Sequence, residues 1–410
     1  MSTTSPTDHP FNRRDWLTTT SLTGMAALIG CKQEPPPVAT VAAAPRVDAP
    51  FDQLLQFPSK IPMRALNDRP PCLESPWETF KTDITPNNAF YVRWHLQTIP
   101  PIDPKTYKLK VTGHIDKPLE LTIDDLRKMP SSSVVAVNQC SGNSRGFLEP
   151  RVGGGQLGNG AMGNARWKGV PLKAVLDRAG VQAGAIQVSF NGLDRPVLPE
   201  TPDFVKALEI DHARDGEVMI AYAMNGEDLP WLNGFPVRLV VPGFYGTYWV
   251  KQLNEITVLD KTLDSFWMKP AYRIPANACA CIEPGKTALA TIPINRLNVR
   301  SFLTNVLDGA KVKAETDIPL RGIAFDGGYG ISEVAISLDG GKSWRATTLG
   351  ENLGKYSFRE WRAGAKLPRG DHVLMVRATN RIGQSQPMEA LWNPSGYMRN
   401  VVERTRIIAT

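Results

Sequence analysis

Through the first long domain the hydrophobic pattern interleaves short apolar, strand-like runs with short helical segments. Residues 134–137, Val-Val-Ala-Val, are brief and β-branched, so they read as a strand buried on both faces and ended by Gly142 and Asn143. In "FYVRWHL" (90–96) large residues alternate in strand fashion, which places Arg93 and His95 on one face. Two segments carry a helical period, "TIDDLRKMP" and "PLKAVLDRAG", the second opened by a proline and closed by Gly180. Residues 234–260 read as two strands joined across a Pro-Gly turn. The glycine-dense 146–167 reads as a long loop over the site, with Arg166 and Trp167 returning the chain to the core.

From about Ile292 the texture becomes all-β. "LRGIAFDGGYG", "ISEVAISLDGGKSWRATTL" and "HVLMVRATN" alternate between Gly or Asp-Gly turns, the pattern of an immunoglobulin-like sandwich. The expected fold class is therefore α+β, a mixed α/β domain followed by that sandwich. A chain of 410 residues exceeds one ordinary core. We divide it into a leader (1–31), a Pro/Ala-rich linker (32–58), a mixed domain (59–285) and the β domain (286–410).

Composition changes the picture only at the margins. No run approaches the roughly 18 apolar residues of a membrane span. The net charge of +7 is spread along the chain, with no Lys/Arg block that would track nucleic acid. The N-terminus carries more information. Arg13 and Arg14 precede a weakly apolar stretch from Leu22 to Gly30, which predicts twin-arginine export to the periplasm. Leu28 to Cys31 also resembles a lipoprotein box, which would anchor the chain through Cys31; a chance cysteine beside an ordinary cleavage site is the alternative. Of the other four cysteines, Cys279 and Cys281 stand too close for an ordinary bridge and alternate faces if extended. Cys72 is then expected to pair with one of them, leaving Cys140 free for chemistry.

Cys140 ends the buried strand beside Ser141, Gly142, Asn143 and Arg145, where a scaffold aims active-site groups into a cleft; a buried structural thiol is the bland alternative. Arg93 and His95 on one face suit an anion, although a solvated surface strand would carry the same pair. The 146–167 loop lacks the glycine patterns that cradle phosphates. Arg238 and Lys251 are the cations placed to bind a phosphate tail.

Taken in order, "NNAFYVRWH", "NQCSGNSRG", "AYAMNGEDLPWLNGFPVRLVVPG", "TYWVKQL", "WMKPAYRIP", "SLDGGKSW" and "LWNPSGYMRN" resemble the sulfite oxidase family of molybdenum enzymes, in particular the periplasmic sulfite dehydrogenases of bacteria. That resemblance implies a Mo-molybdopterin cofactor with Cys140 as the metal ligand, a soft thiolate suited to a metal that changes oxidation state. It also implies a substrate site of Arg93, His95, Arg145 and Tyr272. The cofactor would be bound around Tyr91, Val92, Arg93, Trp94, His95, Asp194, Asn233, Arg238, Trp249, Val250 and Lys251. Asn233 departs from the histidine of animal members, which puts that contact in doubt. No haem motif occurs, so the electrons from sulfite would leave to a separate c-type cytochrome, whether a transient acceptor or a bound haem subunit, and the 146–166 loop is a candidate docking surface for it. Homodimer and heterodimer both stay open. So do a sulfane-type sulfur dehydrogenase, which Tyr272 argues against, a methionine sulfoxide reductase and a non-catalytic exported lipoprotein.

Overall fold

The computed structural model describes residues 54–410, so the twin-arginine leader, Cys31 and most of the linker lie outside the described residues. Order begins earlier than residue 59. Leu54–Leu55 already pairs with Met63–Asp68, at the edge of a four-stranded sheet completed by Pro71–Glu74 and Val92–Arg93.

Two larger sheets follow. One runs Lys206–Glu209, Gln187–Gly192, Leu253–Leu259, Leu109–Gly113, Leu119–Leu121, with a parallel pairing between its third and fourth strands. The other runs Glu227–Asp228, Met219–Met224, Met162–Pro171, Ser132–Gln139, and Arg238–Val240 also pairs with Met219–Met224. Helices are few. Ile123–Lys128 is started by a capping box of Thr122 and Asp125, and Leu172–Ala179 ends at Gly180. Gly180 has φ +71°, and a Cβ there would lie 2.6 Å from the Asp116 carboxylate, so both conformation and space require glycine. The α+β expectation thus gives way to a mostly β structure, in which the described residues form three short α-helices.

The last part of the chain forms two sheets around one core. Arg300–Leu303, Asp317–Phe325, Arg359–Lys366 and Thr348–Leu349 make the first; Ala310–Val312, Glu403–Ala409, Gly370–Asn380, Ile331–Ser337 and Arg345–Ala346 make the second. Leu303, Leu320 and Trp361 of one face meet Ile336, Leu374, Val376 and Ile407 of the other. The alternation read from the sequence is this inward face. The main core does not stop at this boundary, because Phe302, Ile323, Phe325, Tyr356 and Phe358 belong to it, with Phe302 5.4 Å from Trp77.

Three local expectations need correction. Arg238–Val240 and Leu253–Leu259 do not form a hairpin; they lie in different sheets, and the segment between them turns at Gly243 (φ +79°) and Gly246–Tyr248 to reach the site. Of "FYVRWHL" only Val92–Arg93 is hydrogen-bonded as strand. Cys279 is bonded to Cys281, and Cys72 is free and buried. The pairing by extended geometry failed because Ala280 is left-handed (φ +50°), which curls the chain and brings the two Cα atoms to 5.1 Å.

One buried cation ties the end of the chain to the turn after Cys140. Arg300 Nη2 donates to Ser144 Oγ (2.7 Å), Asn159 Oδ1 (2.7 Å) and Glu403 Oε1 (2.9 Å), and its side chain is 1% exposed. Removing one partner of a buried pair leaves an uncompensated charge. Glu403→Gln is therefore expected to destabilise by about 3 kcal/mol, read as a clear fall in the thermal unfolding midpoint. A midpoint within a degree of wild type would show that this tie contributes little.

Candidate functional site

The site forms where Ser132–Gln139 ends. This strand pairs with Met162–Pro171 down to Gln139 opposite Met162, and Cys140 then leaves the ladder with its N–H on Ala161 O at 2.9 Å. Asn143 closes the turn, donating its N–H to Cys140 O (3.0 Å) and accepting Ala161 N–H at Oδ1 (3.0 Å). Cys140 is therefore fixed by main-chain bonds on both sides, free of any disulfide and half-buried. It lines a cavity with Tyr91, Arg93, His95, Asn138, Ser141, Phe204, Asn233, Arg238, Thr247, Lys251 and Tyr272.

Alternation from residue 91 to 95 sorts side chains between two places. Val92 and Trp94 enter a small core with Met63, Leu73 and Leu232 and do not line the cavity, while Arg93 and His95 face it. His95 is stacked on Phe204 at 3.9 Å and hydrogen-bonds the Tyr272 hydroxyl. Burial, reinforced by Arg93, Lys251 and Lys206, holds the imidazole well below its ordinary pKa, so it is neutral. Tyr272 sits at φ +57°, an uncommon conformation for a bulky residue, and burial pushes its phenol up, so it stays protonated.

The opposite wall comes from 233–251. Arg238 lies against the rings of both Trp167 (5.0 Å) and Trp249 (5.7 Å) and donates to Asn233 O (2.9 Å) and Trp249 O (3.1 Å). Lys251 Nζ donates to Arg93 O (2.8 Å) and lies 4.4 Å from the centre of the Trp94 ring. Asp194 is buried without lining the cavity; burial raises its carboxyl to about 6 against the pull of Lys251. Trp249 and Val250 are buried behind the wall, where Trp249 Nε1 donates to Phe244 O (3.0 Å) and Val250 O accepts Leu239 N–H (2.8 Å). Asn233 is committed to the protein: Oδ1 accepts Lys60 Nζ at 2.5 Å and Nδ2 donates to Tyr91 O at 3.0 Å.

Arg145 stands one step out. Its guanidinium occupies a slot where Cβ atoms at Gly142 and Gly154 would come within 2.7 and 2.5 Å, it donates to Ser395 O (2.8 Å), and it lies 5.2 Å from the centre of the Tyr397 ring. Tyr397 in turn stacks on Tyr272 at 5.4 Å and 4°. The sequence reading missed Tyr397, Lys60, Lys206, Asn138, Ser141 and Thr247. Asn138 and Ser141 flank the cysteine, and Thr247 and Tyr397 lie in the strings "TYWVKQL" and "LWNPSGYMRN", closely enough to be suspected; Lys60 and Lys206 have no local signal.

Arg93, Arg238 and Lys251 face the cavity, and no carboxylate is among its lining residues. Four lining atoms, Asn138 Nδ2, Ser141 Oγ, Arg238 Nε and Thr247 Oγ1, are buried without a hydrogen-bond partner among the described residues. Such groups are costly unless a ligand satisfies them. A polyanionic, heteroatom-rich group suits this donor set, with Cys140 as the one soft ligand, and molybdopterin has that chemistry.

Comparison with known proteins agrees. Residues 95–267 match the oxidoreductase molybdopterin binding domain, and 291–410 match the Mo-co oxidoreductase dimerisation domain. The mitochondrial sulfite oxidase of Mus musculus is 32% identical over 383 residues, covering 89% of this chain and 69% of that protein. Sulfite oxidase of Gallus gallus is 31% identical over 381 residues, covering 88% and 81%. Among solved structures, the sulfane dehydrogenase SoxCD from Paracoccus pantotrophus shares the fold with a TM-score of 0.71 at 23% identity, covering 86% of each chain. From the match along both domains and a cavity built for its cofactor, this chain belongs to the sulfite oxidase family and is a molybdenum-dependent oxidoreductase that binds Mo-molybdopterin.

Proposed function

We propose that this chain is a periplasmic sulfite dehydrogenase, exported by the twin-arginine route, which oxidises sulfite to sulfate with water as the oxygen source and passes single electrons to a c-type cytochrome. The observation that carries this reading is the convergence of a free Cys140, Arg93, neutral His95 and protonated Tyr272 on one cavity lined by no carboxylate. When bound through Cys140, molybdenum supplies two-electron redox chemistry at sulfur. The protein's residues do the rest. Arg93 offsets the charge of a small dianion, Arg238 and Lys251 hold the phosphate of the pterin, and Tyr272 donates a hydrogen bond to an oxygen of the substrate. His95 orients that phenol. Tyr272 in the cavity supports sulfite over a sulfane substrate, which the resemblance associates with members lacking it.

The two-sheet C-terminal part is read as an immunoglobulin-like, dimerisation-type domain beginning near residue 286, and its dimer as the assembled form. Lipid anchoring at Cys31 remains an alternative form of the same exported enzyme.

Cys140→Ser is nearly isosteric, so the purified protein is expected to keep its fold while losing sulfite turnover; full turnover by a molybdenum-loaded variant would refute the ligand assignment. The substrate-facing cations should separate by position. Losing a charge-assisted contact to a buried anion costs about 1.5 to 3 kcal/mol, so Arg93→Gln is expected to raise the sulfite KM roughly ten- to hundredfold. Arg145→Gln, one ring removed, should raise it less; the reverse order in steady-state kinetics would place Arg145 as the primary anion contact.

Burial also sets a pH dependence. Lys60, Lys206 and Lys251 are each lowered from an ordinary 10.5 to about 7, chiefly by desolvation. The unfolded chain then binds more protons between pH 7 and 10.5, so the destabilisation present below 7 is relieved as pH rises. Thermal unfolding of the cofactor-free protein should show a higher midpoint at pH 9 than at pH 7. A bound polyanion returns these lysines toward their ordinary value, so the loaded protein should show a smaller rise.

A further inference from the structure

Behind the cavity, and not lining it, lies a charge that the chemistry above leaves unused. Lys206 begins the edge strand Lys206–Glu209, opposite Phe190, and is 0% exposed. Its ammonium donates to Trp267 O at 2.5 Å, and among the described residues it has no carboxylate within ion-pair distance. Nζ lies 5.0 Å from the centre of the Tyr272 ring and 4.8 Å from that of Tyr248. The Tyr248 hydroxyl is spent on Ile294 O, whereas the Tyr272 hydroxyl points to His95 at the cavity. Packing alone does not call for an ammonium here: a methionine would fill the space without burying an unpaired charge.

A cation over the face of an aromatic ring is attracted by its π electrons, and the attraction grows as the hydroxyl donates its proton into a hydrogen bond and leaves the ring richer in electron density. We propose that Lys206 is the positioning residue of Tyr272, its ammonium polarising the phenol through the ring so that the hydroxyl donates more strongly to an oxyanion in the cavity. This rests on reading Tyr272 as the oxyanion donor. The same field acts on His95, helping to hold the imidazole neutral as the partner of that hydroxyl. Burial lowers Lys206 to about 7, so an anion arriving in the cavity favours the charged form that strengthens the phenol. The other groups around it are Tyr248, His95 and the Trp267 main chain, with Arg93 and Lys251 beyond His95.

The test is a double-mutant cycle on the loaded enzyme with Lys206→Met, Tyr272→Phe and both together, measuring sulfate binding by calorimetry, sulfite kinetics, molybdenum content and the thermal midpoint. Lys206→Met is expected to weaken sulfate binding and lower kcat/KM by about five- to tenfold, the scale of a desolvated cation–ring contact. Molybdenum content should hold and the midpoint should stay or rise, since a buried unpaired charge is gone. In the Tyr272→Phe background the same change should cost less than twofold. An equal loss in both backgrounds, unchanged sulfate binding, or no sulfate binding by the wild type overturns the proposal. Sulfate binding that follows the cycle in an enzyme that does not turn over sulfite would retain Lys206 and reject the substrate assignment.

Discussion

Positive charge gathered around a cavity that no carboxylate lines, with Asp194 the buried acid acting on Lys251, is the constraint on which the rest of this molecule turns. Arg93, Arg238 and Lys251 face the cavity, Lys60 and Lys206 lie behind its walls, and Asp194 is the acid beside Lys251. Left alone, such an array resists folding, because desolvation penalises buried charge, and it lowers Lys60, Lys206, Lys251 and Arg238 from their ordinary values. The protein tolerates it by giving head groups a carbonyl or ring: Lys60 takes Asn87 O and Phe90 O, Lys251 takes Arg93 O, and Arg238 lies against two tryptophans. Neutral acceptors hold the charges in place without cancelling them. The field therefore survives for the ligand, and binding and stability become one equilibrium.

The C-terminal sheets are part of this arrangement. Arg300 joins Glu403 to the turn after Cys140, and Tyr397 lies against the ring of Tyr272. With Phe302, Phe325 and Phe358 inside the main core, the two parts do not meet across a solvated joint.

Much of the site could be read from the chain because its residues lie in short, ordered strings. "NQCSG" put a thiol at a strand end, and alternation in "FYVRWHL" set Arg93 and His95 apart from Val92 and Trp94, although the hydrogen-bonded strand proved two residues long. Side-chain period reports which face is buried, whereas ladder length depends on a neighbouring strand that the string does not contain. The strands after Ile292 were legible for the same reason where one face is wet, as in the first half of Asp317–Phe325 and the end of Gly370–Asn380, whereas Asp317–Phe325 and Ile331–Ser337 each finish in four successive buried residues. What stayed hidden was set by contacts distant in sequence. Lys206 looks like any strand-edge lysine until Trp267 and Tyr272 cover it, and Asn233 looked like a weakened cofactor contact until Lys60 claimed its oxygen. The cysteine pairing failed on one dihedral angle, at Ala280, that composition does not encode.

The slot around Arg145 carries a consequence in time. Its floor, Gly142 and Gly154, is synthesised with the arginine, but the Ser395 carbonyl that holds the guanidinium lies 250 residues later in the chain. At cellular elongation rates that interval is on the order of tens of seconds. Throughout it the arginine lacks its acceptor and the ring of Tyr397, and the wall beside Cys140 stands open. The seat of Arg145 is thus completed from the far end of the polypeptide, after Cys140 and the cations that face the cavity have already been made.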